Sequence, residues 1–127
     1  MTTTDLALKY HALDFLKLAA AGHVDEAFER HVAPNFRHHN PSFRGDAAAL
    51  KEAMQASAKE HPDKCLEVQR AMQDGNEVAV FARVRQRPDD RGFGLVHLFR
   101  FEDGMIAELW EVAQAVPADP VNENGMF

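Results

Sequence analysis

The sequence predicts an α+β domain in which three amino-terminal helices pack on a curved antiparallel sheet of about four to six strands, enclosing an apolar pocket. Three observations carry this expectation. Apolar residues recur at three- and four-residue spacing through the first half of the chain, which is helical periodicity, and beyond Pro62 the period shortens to two, which is strand periodicity. The runs of period two are separated by Asp74-Gly75 and Asp103-Gly104, dipeptides that supply the positive φ of tight hairpins.

Taken in order, the first helix is expected from Asp5 to Ala21, with Leu6, Tyr10, Leu13 and Leu16 on one side, threonines before it able to cap and Gly22 after it. A shorter helix is expected from Val24 to about Val32, with Asp25 and Glu26 near its positive end and Pro34 marking its stop. Gly45-Asp46 opens a third, Ala47 to about His61, striped by Leu50 and Met54 and closed by His61-Pro62. The meander that follows reads as strands 64–73, 76–87, 93–101 and 105–116. Residues 1–62 thus form a helical part, 63–117 an antiparallel meander and 118–127 an extended tail of one domain. Both faces of the last strands are fairly apolar; the helices can cover one, and a second copy of the chain is expected across the other, a homodimer through the sheet.

Composition narrows the function. A chain of 127 residues buries roughly two-thirds of its extended surface, enough for a core and a small cavity. Its net charge of −6 disfavours a nucleic-acid groove, and no apolar stretch approaches the ~20 residues needed to span a bilayer. The single Cys65 cannot bridge internally and the first residues lack the pattern of a secretory signal, so a cytoplasmic protein is expected.

Two constellations could carry chemistry. The segment Phe36-Arg37-His38-His39-Asn40-Pro41 reads as a polar loop between the second and third helices, where His39 or Asn40 could line a site or merely satisfy loop backbone. His97 stands mid-strand among apolar residues, and Glu111 follows Trp110 in the next strand. Simple hairpin pairing about Asp103-Gly104 brings the two within one position of facing each other, and a bulge or the turn type could bring them onto the same face. A histidine beside a carboxylate in an apolar cavity is a usable acid/base pair, and the same pair can equally be a buried structural one. Metal binding by His38, His39, His97 and Glu111 matches no ligand spacing, so no metal is expected. His11, His23, His31 and His61 read as solvent-facing or capping residues, and Arg83, Arg85 and Arg100 as rim charges.

The segment at 36–41, together with Leu98-Phe99-Arg100-Phe101-Glu102-Asp103-Gly104-Met105-Ile106, Glu108-Leu109-Trp110-Glu111-Val112-Ala113-Gln114 and the terminal Asn124-Gly125-Met126-Phe127, resembles the SnoaL-like polyketide-cyclase branch of the nuclear-transport-factor-two-like superfamily over nearly the whole chain. The resemblance implies a cone-shaped roll and a cofactor-free cavity in which a histidine and a carboxylate move an acidic proton, roles that fall on His97 and Glu111. It implies a polycyclic polyketide as the family's ligand; for this chain a small apolar carbonyl compound is expected, with Phe36, His39, Asn40, Phe81, Phe99, Trp110 and Gln114 as substrate-binding residues. The sequence departs from the pattern at Glu111, where aspartate is usual, at His97, where many relatives carry aspartate, and at Leu109 and Phe81, which stand where histidines are frequent. The implied activity is of aldol-cyclase, isomerase or dehydratase type, with a non-enzymatic ligand-binding or dimeric scaffold protein of the same fold as the alternative.

Overall fold

A computed structural model describes residues 3–127, with side chains from Leu8 onward. Helix α1 spans Thr3–Ala20 and α2 Val24–His31. The threonine cap expected before α1 lies outside the described residues. Its buried stripe is Leu8, Ala12, Phe15 and Leu16, one turn-spaced row, whereas Tyr10 is 66% exposed. The stripe expected through Tyr10 is therefore corrected by a rotation of the helix about its axis. Gly22, at φ 90°, ends α1 as expected. His31, at the end of α2, is buried rather than solvent-facing: it hydrogen-bonds Asp14 at 2.7 Å through Nε2 and His11 at 3.1 Å through Nδ1.

The next element overturns a sequence expectation. Val32–His38 is a strand, β1, within the part read as helical and loop. Pro34 is compatible with it because β1 lies at a sheet edge, where a missing N–H breaks no ladder on the outer side. Helix α3 then runs Ala47–Glu60, capped by Asp46, whose carboxylate accepts from the Ala49 N–H at 2.8 Å. Strands β2 (Cys65–Asp74), β3 (Glu77–Arg85), β4 (Phe93–Glu102) and β5 (Met105–Ala115) form the expected meander. The sheet order is β1-β5-β4-β3-β2, and β1 pairs parallel to β5, so the sheet is mixed and not wholly antiparallel. It is curved and does not close into a barrel.

One bulge sets which side chains share a face. From Phe93 to Arg100, β4 pairs with β5 at index sum 208, and from Phe101 onward at 207; Ala107 is the extra residue. His97 consequently stands directly opposite Glu111. The helix-covered face carries Val78, Val80, Ala82, Phe99, Phe101, Ile106 and Leu109, all buried, and packs on Phe15, Phe28 and Leu50. Phe15 meets Phe28 and Phe99 edge-on at 5.5 and 6.0 Å, geometry favoured by the ring quadrupoles. No helix among the described residues is long and apolar enough to cross a membrane.

Candidate functional site

Between α1, α3 and one end of the covered face lies a cavity of about 270 Å³, large enough for a small organic molecule. Leu16, Ala19 and Ala20 of α1 and Leu50, Ala53 and Met54 of α3 make one wall. Leu66, Val84 and Leu95 make the sheet wall. The small alanines follow from the helix period, which brings residues 16, 19, 20 and 50, 53, 54 to one side of each helix. Polar groups enter this apolar space at two places: His97, Glu111 and Asn40 in one, Lys64 and Ser57 in the other.

His97 and Glu111 are the centre of the first group. Glu111 Oε2 lies 2.9 Å from His97 Nε2, and its Oε1 accepts from the Asn40 side-chain amide at 3.1 Å. His97 is 6% exposed at its side chain and stacks on Phe99, whereas Glu111 is 26% exposed. The hydrogen bond from His97 is the largest influence on the Glu111 carboxyl and holds it below the ordinary glutamate value; burial opposes it, and the Asn40 amide adds to the lowering. Glu111 is therefore ionised at neutral pH. His97 Nδ1 is buried and has no hydrogen-bond partner among the described residues. A bare lone pair there costs less than a bare N–H, so the arrangement favours the tautomer with its hydrogen on Nε2, donated to Glu111.

Asn40 is itself fixed. Its N–H donates to His38 Nδ1 at 3.1 Å and its side-chain oxygen accepts from the Ser42 N–H at 2.9 Å. His38 is buried with both nitrogens engaged, since Nε2 donates to the Arg44 carbonyl at 2.6 Å. It serves the loop, and its neighbour His39 serves the other face of the sheet.

Of the residues expected to bind substrate, the structure brings Asn40 to the cavity and buries Phe99 beneath His97. Phe36 lies in the core, stacked on His38 at 6.2 Å. The other four stand on the opposite face, because strand alternation sends neighbours of inward residues outward. His39 stacks flat on Trp110 at 4.9 Å and contacts Glu108 at 2.6 Å. Phe81 stacks on Phe127 at 5.7 Å, and Gln114 lines a groove with Gly94, Val96, Val112 and Met126. His39, Phe81, Trp110 and Gln114 thus stand away from the cavity that holds Glu111. Glu108 anchors this face: Arg37 donates to it at 2.9 and 3.3 Å and Arg100 at 3.1 Å, and with His39 they hold its carboxyl at about 2. Arg100 is accordingly an internal partner and not a rim charge. No group of three or more His, Cys, Asp or Glu among the described residues is arranged to hold a metal ion.

Sequence reasoning missed Lys64. It sits between the His61-Pro62-Asp63 turn and β2, where a lysine reads as solvated. It is half-buried in the cavity and its ammonium is hydrogen-bonded to Ser57 of α3. Only the packing of the α3 end on the sheet edge reveals this, since the end of a helix and the start of a strand meet there in space.

The model of the SnoaL-like domain matches residues 12–109. No functionally curated protein matches the chain. Among solved structures, AclR of Streptomyces galilaeus, provisionally named a hydroxylase, is 23% identical over 89% of this chain and 82% of its own, with a TM-score of 0.73. A protein of Acidithiobacillus ferrooxidans provisionally named a polyketide cyclase is 16% identical over 90% of this chain and 92% of its own, with a TM-score of 0.72. One of Kribbella flavida provisionally named a ketosteroid isomerase is 19% identical over 91% and 83%, with a TM-score of 0.69. At these identities the likeness is one of fold, the cone of the NTF2-like proteins.

Proposed function

The chain belongs to the SnoaL-like domain family, and from that premise we propose that it is an acid/base enzyme needing no cofactor, of cyclase, isomerase or dehydratase type, acting on a small apolar carbonyl compound. The observation that carries the reading is an ionised Glu111 held by His97 and Asn40 at the wall of an apolar cavity. Glu111 is the base: its carboxylate takes a proton from carbon next to the carbonyl. His97 fixes the carboxylate through Nε2 and steadies its charge, and Asn40 fixes its other oxygen. A base held below the ordinary carboxylate value is matched to an acidic C–H, such as one flanked by two carbonyl groups, better than to an isolated ketone. The names of the cyclase and isomerase neighbours agree with this chemistry without extending it to this chain.

The test needs no knowledge of the physiological substrate. Small apolar ketones and 1,3-diketones are incubated with the protein in deuterated water, and loss of the α-proton signal is followed by NMR. Wild type is expected to accelerate exchange, and Glu111→Gln to lower the rate by about 10²–10⁴ while leaving the unfolding temperature close to wild type. The acid limb of the rate is expected below the ordinary glutamate value, because Glu111 stays ionised there. The alternative, a ligand-binding or scaffold protein, is favoured by the internal hydrogen bonds that already occupy both carboxylate oxygens. Under it, wild type gives no exchange and Glu111→Gln chiefly destabilises the fold. We also propose that the opposite sheet face, where Val96 and Val112 are exposed around an apolar groove, receives a second copy of the chain.

A further inference from the structure

We infer that Lys64 is an anion-binding residue of the cavity, and that the ligand is a compound whose carbonyl oxygen gains negative charge there while its acidic carbon faces Glu111. The inference rests on the acid/base reading above and extends it to the second polar group lining the same cavity. The cavity lining is apolar except at its two polar groups, and these have opposite charge. At one, Glu111 is braced by His97 and Asn40. At the other, the Lys64 ammonium is braced by Ser57 on the last turn of α3. A neutral hydrocarbon has no use for either group, and an inert cavity would not be expected to hold an ammonium whose one hydrogen-bond partner among the described residues is a hydroxyl.

Burial of Lys64 holds its ammonium below the ordinary lysine value, with the Glu111 carboxylate pulling the other way. Such a group donates a hydrogen bond or a proton more readily than a lysine in water. The step balances without any further reactant. The Glu111 carboxylate forms an O–H bond to the departing α-proton, the C–H pair becomes the C=C bond of the enolate, and the carbonyl π pair moves onto oxygen. Lys64 N–H meets that oxygen, taking the place filled in many acyl and enol sites by backbone donors. His39, expected from sequence to bind substrate, stands on the far side of the sheet, and the Asn40 amide is spent on Glu111. Of the donors lining the cavity, Lys64 is the one carrying charge to offer an oxyanion.

The assignment is tested with 4-nitrophenol, whose anion is coloured and mimics an enolate in charge and planarity. Its binding is titrated by visible absorbance at pH values on both sides of its own ionisation. Wild type is expected to bind the phenolate more tightly than the phenol, so that the bound probe ionises at lower pH than the free one. Lys64→Met, which keeps the apolar stem, is expected to lose phenolate affinity by about tenfold or more, the scale of a charge-assisted hydrogen bond. Lys64→Arg should recover the preference, which separates lost charge from lost folding; circular dichroism of all three checks the fold. If wild type shows no preference for the anion, or Lys64→Met retains it, the inference is overturned. The two readings fail separately. A wild type that exchanges α-protons without a Lys64-dependent preference for phenolate overturns the role of Lys64 and leaves Glu111 standing. A Lys64-dependent preference in a protein that exchanges nothing supports the anion pole and overturns the acid/base enzyme.

Discussion

Replacing Glu108 by glutamine removes one charge from the face opposite the cavity and keeps the shape of the side chain. The Glu108 side chain is 6% exposed and its carboxylate accepts from Arg37, His39 and Arg100, which together hold it at about 2 against an ordinary 4.5. At about 1.4 kcal/mol per tenfold, that difference corresponds to about 3 kcal/mol of stability at neutral pH. Arg37 is 67% exposed, and solvent weakens its part, so a loss of about 1.5–2 kcal/mol is the better expectation. The sign with pH follows from a native value below the unfolded one. The contribution is complete above the unfolded value near 4.5, declines as pH falls through the window from 4.5 to about 2, and is gone below it. Asp14 and Glu111, which share no partner with Glu108, titrate in both proteins and cancel in the difference, whereas Glu102 shares Arg100 with it and belongs to the same cluster. The assay is therefore urea unfolding of wild type and Glu108→Gln in parallel at pH 7, 4 and 2. The gap between the two curves should close with acid. A gap that stays constant with pH would mean that glutamine simply packs worse, and the electrostatic account of this cluster would be refuted.

Two further outcomes test the fold and the assembly. Gly92 has φ 75°, and a Cβ there would lie 2.2 Å from the Val84 carbonyl oxygen, so Gly92→Ala is expected to cost about 3 kcal/mol or more; Gly75→Ala, with φ 60° and open space around it, should cost only about 1 kcal/mol, and thermal unfolding of the pair separates backbone strain from steric collision. Val112 is 69% exposed on the apolar face proposed to meet a second copy, so sedimentation should find wild type dimeric and Val112→Glu monomeric with an unchanged circular dichroism spectrum; a monomeric wild type refutes that interface.

The parts of this molecule governed by local rules were legible in the sequence. Periodicity and caps located three helices, and Asp103-Gly104, with φ 52° and 78°, turned the last hairpin as the dipeptide implies. Strand β1 escaped because its seven residues contain Pro34 and lack alternation, and its reason for being extended is the distant edge of β5. The His97–Glu111 pairing was legible to within one residue, and the bulge at Ala107 supplied that residue. Which of two adjacent polar residues faces inward was not legible at all. His39 and Asn40 have similar claims in sequence, and only the pairing of β1 with β5 sends one to Trp110 and the other to Glu111. Lys64 was hidden for a related cause: the cavity it lines is completed by α1 and by β4 and β5, which are distant from it in sequence.

The alternation along residues 37–40 has a consequence for how the chain can change length. Arg37 and His39 serve the Glu108 cluster, and His38 and Asn40 serve the cavity side, one after another along four residues. Insertion or deletion of a single residue within this stretch would exchange the two sets, directing an imidazole at Glu111 and an amide at Trp110. Both clusters would fail together, although neither has lost a residue type. Just beyond, the Ser42 N–H still holds the Asn40 side chain, so the exposed loop is free of such a constraint only past Ser42. Length variation in descendants of this chain should therefore gather after Ser42, with residues 37–40 inherited as a block whose spacing counts for more than its composition.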